Sequence, residues 1–283
     1  MNKTKSSPYI CIGGGELGKT LLKKIPIRAI GALLFAAALV FTSCSNDSDS
    51  QSPQAPFVEE GASLILSPDK PNIKVKVTTF NSSAVTVEGC DKTTLTSGTE
   101  TDLHASGTTV ILKGKITELN CFNNQLTALN VQGCTDLKTL NCSNNRFAAL
   151  DLHNLTALQT LSCFKNQLTA LNVQGCIVLQ TLDCCENQLA ALNVQGCPAL
   201  QDLTCYGNQL NANAFEKIFD DLPTREASDD AGCYLYTEQS DITEGNHKNF
   251  TAPEALKTAF ENARNDKKWT MYKYDADGNE QDI

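Results

Sequence analysis

Residues 137–152 read Leu137-Lys138-Thr139-Leu140-Asn141-Cys142-Ser143-Asn144-Asn145-Arg146-Phe147-Ala148-Ala149-Leu150-Asp151-Leu152, and the same pattern of apolar, thiol and amide positions returns every 21 residues. Leu119, Leu140, Leu161, Leu182 and Leu203 form one column, and Cys121, Cys142, Cys163, Cys184 and Cys205 a second. Asn124, Asn145, Asn166, Asn187 and Asn208 form a third. Further apolar columns run through Leu126 to Leu210, Leu129 to Leu192, Val131 to Val194 and Leu137 to Leu200. The leucine and the cysteine are two residues apart, so in a strand both side chains point to one side. Each turn of chain hides that side only against its neighbours, which makes the stack a solenoid that needs a cap at each end. The asparagine falls where the chain leaves the strand and leaves interior backbone groups unpaired. A carboxamide can offer those groups both donors and an acceptor.

Written from Leu137, the unit is L-x-x-L-x-C-x-x-N-x-[LF]-x-x-L-x-[VL]. It resembles the leucine-rich repeat over residues 116–210, and is similar to the short-period bacterial repeats related to those of internalins. The resemblance implies a solenoid with a parallel β-sheet on a concave face. Residues 61–115 alternate apolar and polar positions through Leu64 and Leu66, Ile73 to Val77, Val85 and Val87, and Val110 and Leu112, the pattern of an N-terminal β cap. Similar repeat lipoproteins carry such a β-rich lead. Residues 211–283 read as an α+β cap. A helix with Phe215, Ile218, Phe219 and Leu222 stops at Pro223; a second, behind Thr251-Ala252-Pro253-Glu254, has the pattern of a capping box.

The 283 residues include 13 Cys and carry a formal charge of −9, which argues against a surface that tracks phosphates, so no nucleic-acid partner is expected. The cysteines follow the repeat rather than any metal-ligand spacing. In a second column, Cys134, Cys176 and Cys197 share a place with Leu155, so the thiols read as small buried hydrophobes. Neither a metal nor a cofactor is expected. Rungs about 4.8 Å apart leave a disulfide geometrically open, although parallel side-chain directions argue for free thiols.

The first 43 residues read as an export signal. Lys23, Lys24 and Arg28 precede an apolar run that ends in Phe41-Thr42-Ser43-Cys44. The uncharged stretch 29–46 is close to the shortest membrane span of about 17 residues, so an uncleaved anchor is the competing reading. The ending favours cleavage, because it resembles the lipobox of bacterial lipoproteins, which implies lipid on Cys44. Residues 44–60 then read as a disordered acidic tether, similar to the export tags of surface-exposed lipoproteins, which implies a lipid-anchored outer-membrane protein displayed at the cell surface. Loss of Lys3, Lys5, Lys19, Lys23, Lys24, Arg28 and Glu16 would take the formal charge from −9 to −14. A body so acidic would need acyl chains rather than a basic face to hold it to a membrane. Gly13 to Thr20 matches the phosphate-loop pattern but meets Pro26 before a helix could run, and it belongs to the segment expected to be removed. The length of the basic lead places the expected start of translation near Leu21 or Leu22.

With the inward positions set by packing, function is expected on the outward strand positions. One outward column reads Phe122, Ser143, Phe164, Cys185, Tyr206, and its neighbour Asn120, Asn141, Ser162, Asp183, Thr204. Aromatic residues on alternate rungs would stand roughly 10 Å apart. Phe122, Phe164, Tyr206, Asn120, Asn141 and Asp183 are therefore the candidate ligand-binding residues, unless the rings merely shield the strands. His104, His153 and His247 fall in unrelated segments, and Asp275 to Asn279 lacks the spacing of a calcium loop, so no enzyme is expected. The leading expectation is a surface lipoprotein that binds a protein partner, in adhesion or host interaction. The alternative is glycan capture on Phe122, Phe164 and Tyr206.

Overall fold

The computed structural model describes residues 54–283. Cys44, the export signal, the phosphate-loop pattern and most of the expected tether lie outside those residues. The chain is a leucine-rich-repeat solenoid capped at both ends. Its spine is a ten-stranded sheet in which β7 (Ile116–Asn120), β9 (Thr139–Asn141), β11 (Thr160–Ser162), β13 (Thr181–Asp183) and β14 (Asp202–Thr204) lie parallel and side by side. Leu119, Leu140, Leu161, Leu182 and Leu203 are cross-strand partners in consecutive pairs, and all are at most 1% exposed. The five ladder cysteines from Cys121 to Cys205 are fully buried beside them.

At the N-terminal end, β2 (Asn72–Thr79) lies antiparallel on β7 and β5 (Glu100–His104) lies on β2, so the spine ends in two reversed strands. A second sheet of β4 (Thr94–Leu95), β3 (Val85–Glu88), β6 (Thr109–Lys113) and β1 (Gly61–Ile65) is completed by β8 (Ala128–Asn130) from the first coil. Behind the spine, β10 (Ala149–Asp151) and β12 (Ala170–Asn172) pair in parallel as a further short ladder. The inward leucines Leu129 of β8, Leu150 of β10 and Leu171 of β12 explain why one period carries two apolar alternations.

The packed chain starts earlier than the boundary at 61. Ala55 and Val58 are buried, Ser63 donates to the Pro56 carbonyl at 2.5 Å, and the Asn130 amide donates to the Ala55 carbonyl. Gly133 allows this approach, since a Cβ there would lie 1.8 Å from the Val58 carbonyl oxygen.

At the C-terminal end the coil continues with helices in the return path. α1 (Ala212–Asp221) is capped by Asn211, whose side chain accepts from the Ala214 N–H, and it buries Phe215, Ile218 and Phe219. It leads to β15 (Gly232–Thr237), parallel to β14; α2 (Glu254–Asn265) leads in turn to β16 (Thr270–Tyr274), parallel to β15. β17 (Glu280–Asp282) turns back antiparallel and forms the edge. The expected capping box of α2 is absent. Pro253 holds the cap position, and the Thr251 hydroxyl bonds Asn249 at 2.7 Å instead of reaching the helix N-terminus. No helix of the described residues is long and apolar enough to cross a membrane.

Candidate functional site

The strands deliver three straight rows of side chains to the solvent face of the spine. Register pairs place Lys76, Asn120, Asn141, Ser162, Asp183, Thr204, Tyr234, Tyr272 and Asp282 in one line across nine adjacent strands. On one side runs Glu118, Thr139, Thr160, Thr181, Asp202, Gly232 and Thr270. On the other runs the aromatic column from Phe122 to Tyr206.

Each coil turns out of its strand through a left-handed residue just before the ladder asparagine: Asn123, Asn144, Lys165, Glu186 and Gly207 have φ of 56°, 53°, 51°, 50° and 65°. The asparagine then repairs the broken backbone pairing. Asn145 Oδ1 accepts from the Leu126 N–H of the preceding coil at 2.9 Å, and its Nδ2 donates to the Cys121 and Cys142 carbonyls at 3.0 Å each. Asn166, Asn187 and Asn208 repeat the arrangement toward Phe147, Leu168 and Leu189. Asn124, which has no repeat before it, exchanges both bonds with the backbone of Lys74 in β2, at 2.8 Å each. At the other end Asn246 takes the same role. Its Oδ1 accepts from Leu210 N–H at 2.9 Å, and its Nδ2 donates to the carbonyls of Cys205 and Leu235.

The expected ligand residues of the central row also serve the backbone. Asn120 Oδ1 accepts from Phe122 N–H, Asn141 Oδ1 from Ser143 N–H and Asp183 Oδ1 from Cys185 N–H, at 3.0, 3.2 and 3.3 Å. Their acceptors hold the strand exit in shape and point the aromatic column outward. Burial raises the Asp183 carboxyl pKa above its usual value, partly offset by hydrogen bonds from Cys185 and Ser162.

The outward aromatic column is not an evenly spaced array. Phe122 and Phe164, two rungs apart, lean together until their ring centroids are 6.4 Å apart, rather than the 10 Å that rung spacing alone predicts. They can do so because Ser143 between them is small, and its side chain is fully buried. Cys185 is covered likewise, beside Tyr206. Beyond Tyr206 the aromatic surface continues onto the cap, which the repeat columns gave no reason to include. The Tyr206 and Tyr274 rings meet edge to face at 5.4 Å, and Tyr234 stacks on Tyr272 at 4.8 Å and on Tyr274 at 5.5 Å. The Tyr234 hydroxyl donates to Glu280 at 2.6 Å. In the sequence, residues 232–237 and 269–274 read as cap strands that continue the coil behind helix-backed turns, but nothing there put their tyrosines on this face.

Part of this chain is similar to a solved structure. The functional domain of InlJ from Listeria monocytogenes, which includes a cysteine ladder, is 31% identical over 42% of this chain and 25% of that chain, with a TM-score of 0.35. This chain therefore spans about a quarter of the length of that one. No family model matches the chain, and no curated protein does.

The thiols offer no nucleophile to this face. Burial pushes Cys121, Cys134 and Cys197 up to about 12 and Cys176 to about 11, and it raises Cys142, Cys163 and Cys184 as well. All eleven cysteines of the described residues are free. Asp275 Oδ1 accepts from the Asp277 and Asn279 N–H groups at 3.0 and 2.8 Å, so that carboxylate shapes the turn between β16 and β17. Beside Phe122, at the N-terminal end of the face, a depression of about 380 Å³ is lined by Lys70, Lys74, Lys76, Asn120 and Asn123.

Proposed function

We propose that this chain is a binding protein that engages a protein partner on the aromatic face of its spine, and that lipid on Cys44 holds it at the cell surface. The observation that carries the reading is the aromatic surface itself. It begins with Phe122, which is 41% exposed, and runs by way of Phe164 and Tyr206 to Tyr234, Tyr272 and Tyr274, on a scaffold whose interior is fixed by packing. Partly exposed rings on a rigid sheet lose little conformational freedom when a partner covers them, which favours protein contacts. A sugar platform needs open ring faces. Here Tyr234 lies against both Tyr272 and Tyr274, and Phe122 and Phe164 are tilted by 45°, so the geometry supports protein over glycan.

The test offers soluble residues 51–283 to labelled surface proteins and, separately, to a glycan array. Capture of a protein that is lost in Phe164→Ser supports the proposal. Retention of sugar lost in the same variant supports the glycan alternative, and indifference of both assays to the substitution removes the aromatic column from either. Lipidation is tested apart from this by mass spectrometry of the membrane fraction, where Cys44→Ser must abolish the acylated form.

A further inference from the structure

The C-terminal half of the spine face is charged in one sense only. From β9 to β17 the three outward rows contain Asp183, Asp202, Glu280 and Asp282, and no Lys or Arg. Glu280 and Asp282 stand directly across from Tyr274 and Tyr272, so the carboxylates and the tyrosine rings share one surface. Two lysines lie close to that half, and each is answered: Lys165 meets Glu186 at 3.3 Å, and Lys273, between Tyr272 and Tyr274 in β16, meets Glu238 at 2.7 Å. The opposite end differs. There Lys74 meets Glu100 and Asp102 at 3.3 and 3.8 Å, so both signs of charge are present and two of the carboxylates already have a cation.

Resting on the binding face proposed above, we infer that its C-terminal half receives a lysine- or arginine-bearing extended segment of the partner, laid across the strands over Asp183, Asp202, Tyr206, Tyr272, Glu280 and Asp282. The occupant follows from charge complementarity. Carboxylates beside aromatic rings give ammonium or guanidinium groups charge-assisted hydrogen bonds and favourable ring contacts together. From β13 to β17 the face spans about 19 Å, the reach of about six extended residues. The segment crosses the strands, so it engages side chains and takes no backbone pairing from the sheet.

The experiment measures binding of a capped oligolysine peptide and of an oligoglutamate of equal length to soluble residues 51–283 at low ionic strength. Two double variants carry equal charge loss: Glu280→Gln with Asp282→Asn on the face, and Asp220→Asn with Glu261→Gln on the exposed sides of α1 and α2. The isosteric Gln keeps an acceptor for the Tyr234 hydroxyl, and matching thermal midpoints establish that both variants fold. Oligolysine is expected to bind, and to weaken about threefold to tenfold in the face variant with little change in the helix variant. Equal weakening in both variants means diffuse attraction to an acidic body and overturns the inference. So does the absence of oligolysine binding, or equal binding of oligoglutamate. A surface protein captured through Phe164 but retained undiminished by the face variant would leave the binding face standing and sink the cationic segment alone.

Discussion

Phe122 and Phe164 close over Ser143, their centroids 6.4 Å apart although a whole coil lies between them. The Ser143 hydroxyl, shut off from solvent, finds its partner in Ser162 Oγ of the next coil at 2.9 Å. Small and large residues thus alternate along the outward column for a packing reason, and the two rings act as one patch. A double-mutant cycle with Phe122→Ser and Phe164→Ser is expected to show a coupling of about 0.5–1.5 kcal/mol in unfolding free energy. Strict additivity would mean the rings do not support one another.

The amide ladder makes a second, larger prediction. Asn166→Ala orphans the Phe147 N–H and takes one of two amide donors from each of the Cys142 and Cys163 carbonyls, which keep Asn145 and Asn187, and it should cost about 1–3 kcal/mol. Asn246→Ala should cost a similar amount, because the Leu210 N–H and the Cys205 and Leu235 carbonyls lose the same partner. An unchanged unfolding midpoint in Asn246→Ala would remove that residue from the ladder.

Thiol counting tests the interior. In soluble residues 51–283, which contain eleven cysteines, only the half-buried Cys90 is expected to react readily with a thiol reagent in the native state, and all eleven once the chain is unfolded. A shortfall in denaturant without reductant would reveal disulfides and contradict the free ladder.

The raised pKa of Asp183 has a definite sign. Folding favours its neutral form, so the ionised carboxylate disfavours the native state once pH rises through the folded pKa, and this penalty is absent below the unfolded value of about 3.8. Asp183→Asn keeps an oxygen for the Cys185 N–H. It should therefore raise the unfolding midpoint at pH 7 and make little difference at pH 3. A gain of equal size at both values would attribute the effect to something other than charge.

How far the sequence carried depends on the period. Where the 21-residue spacing holds, as from Asn124 to Asn208, both the ladder and the inward thiols were legible before any coordinates. Asn246 was not, because α1 and β15 intervene and it follows Asn208 by 38 residues; only the backbone groups it meets reveal its place. Cys233 and Leu235 show the same exchange in reverse. Cys233 pairs with Leu203 in the leucine column, and Leu235 takes the cysteine position of the next rung. Ring positions were the least legible. Rung spacing places Cα atoms, while the tilt of Phe122 toward Phe164 depends on the small residue between them. The helix-backed continuation of the coil was expected from the sequence, but the 21-residue columns stop short of β16 and leave the place of its tyrosines on the face unread.

The reversed strand β2 engages only β7 and β5 in the spine, and Asn246 reaches back only to the coil that ends at Leu210. Between them each ladder asparagine bonds the backbone of the preceding coil in the same way. The number of coils is therefore a free parameter of this architecture: duplicating or deleting one 21-residue unit inside the run would lengthen or shorten the outward face of the spine by about 4.8 Å while leaving both terminal modules intact.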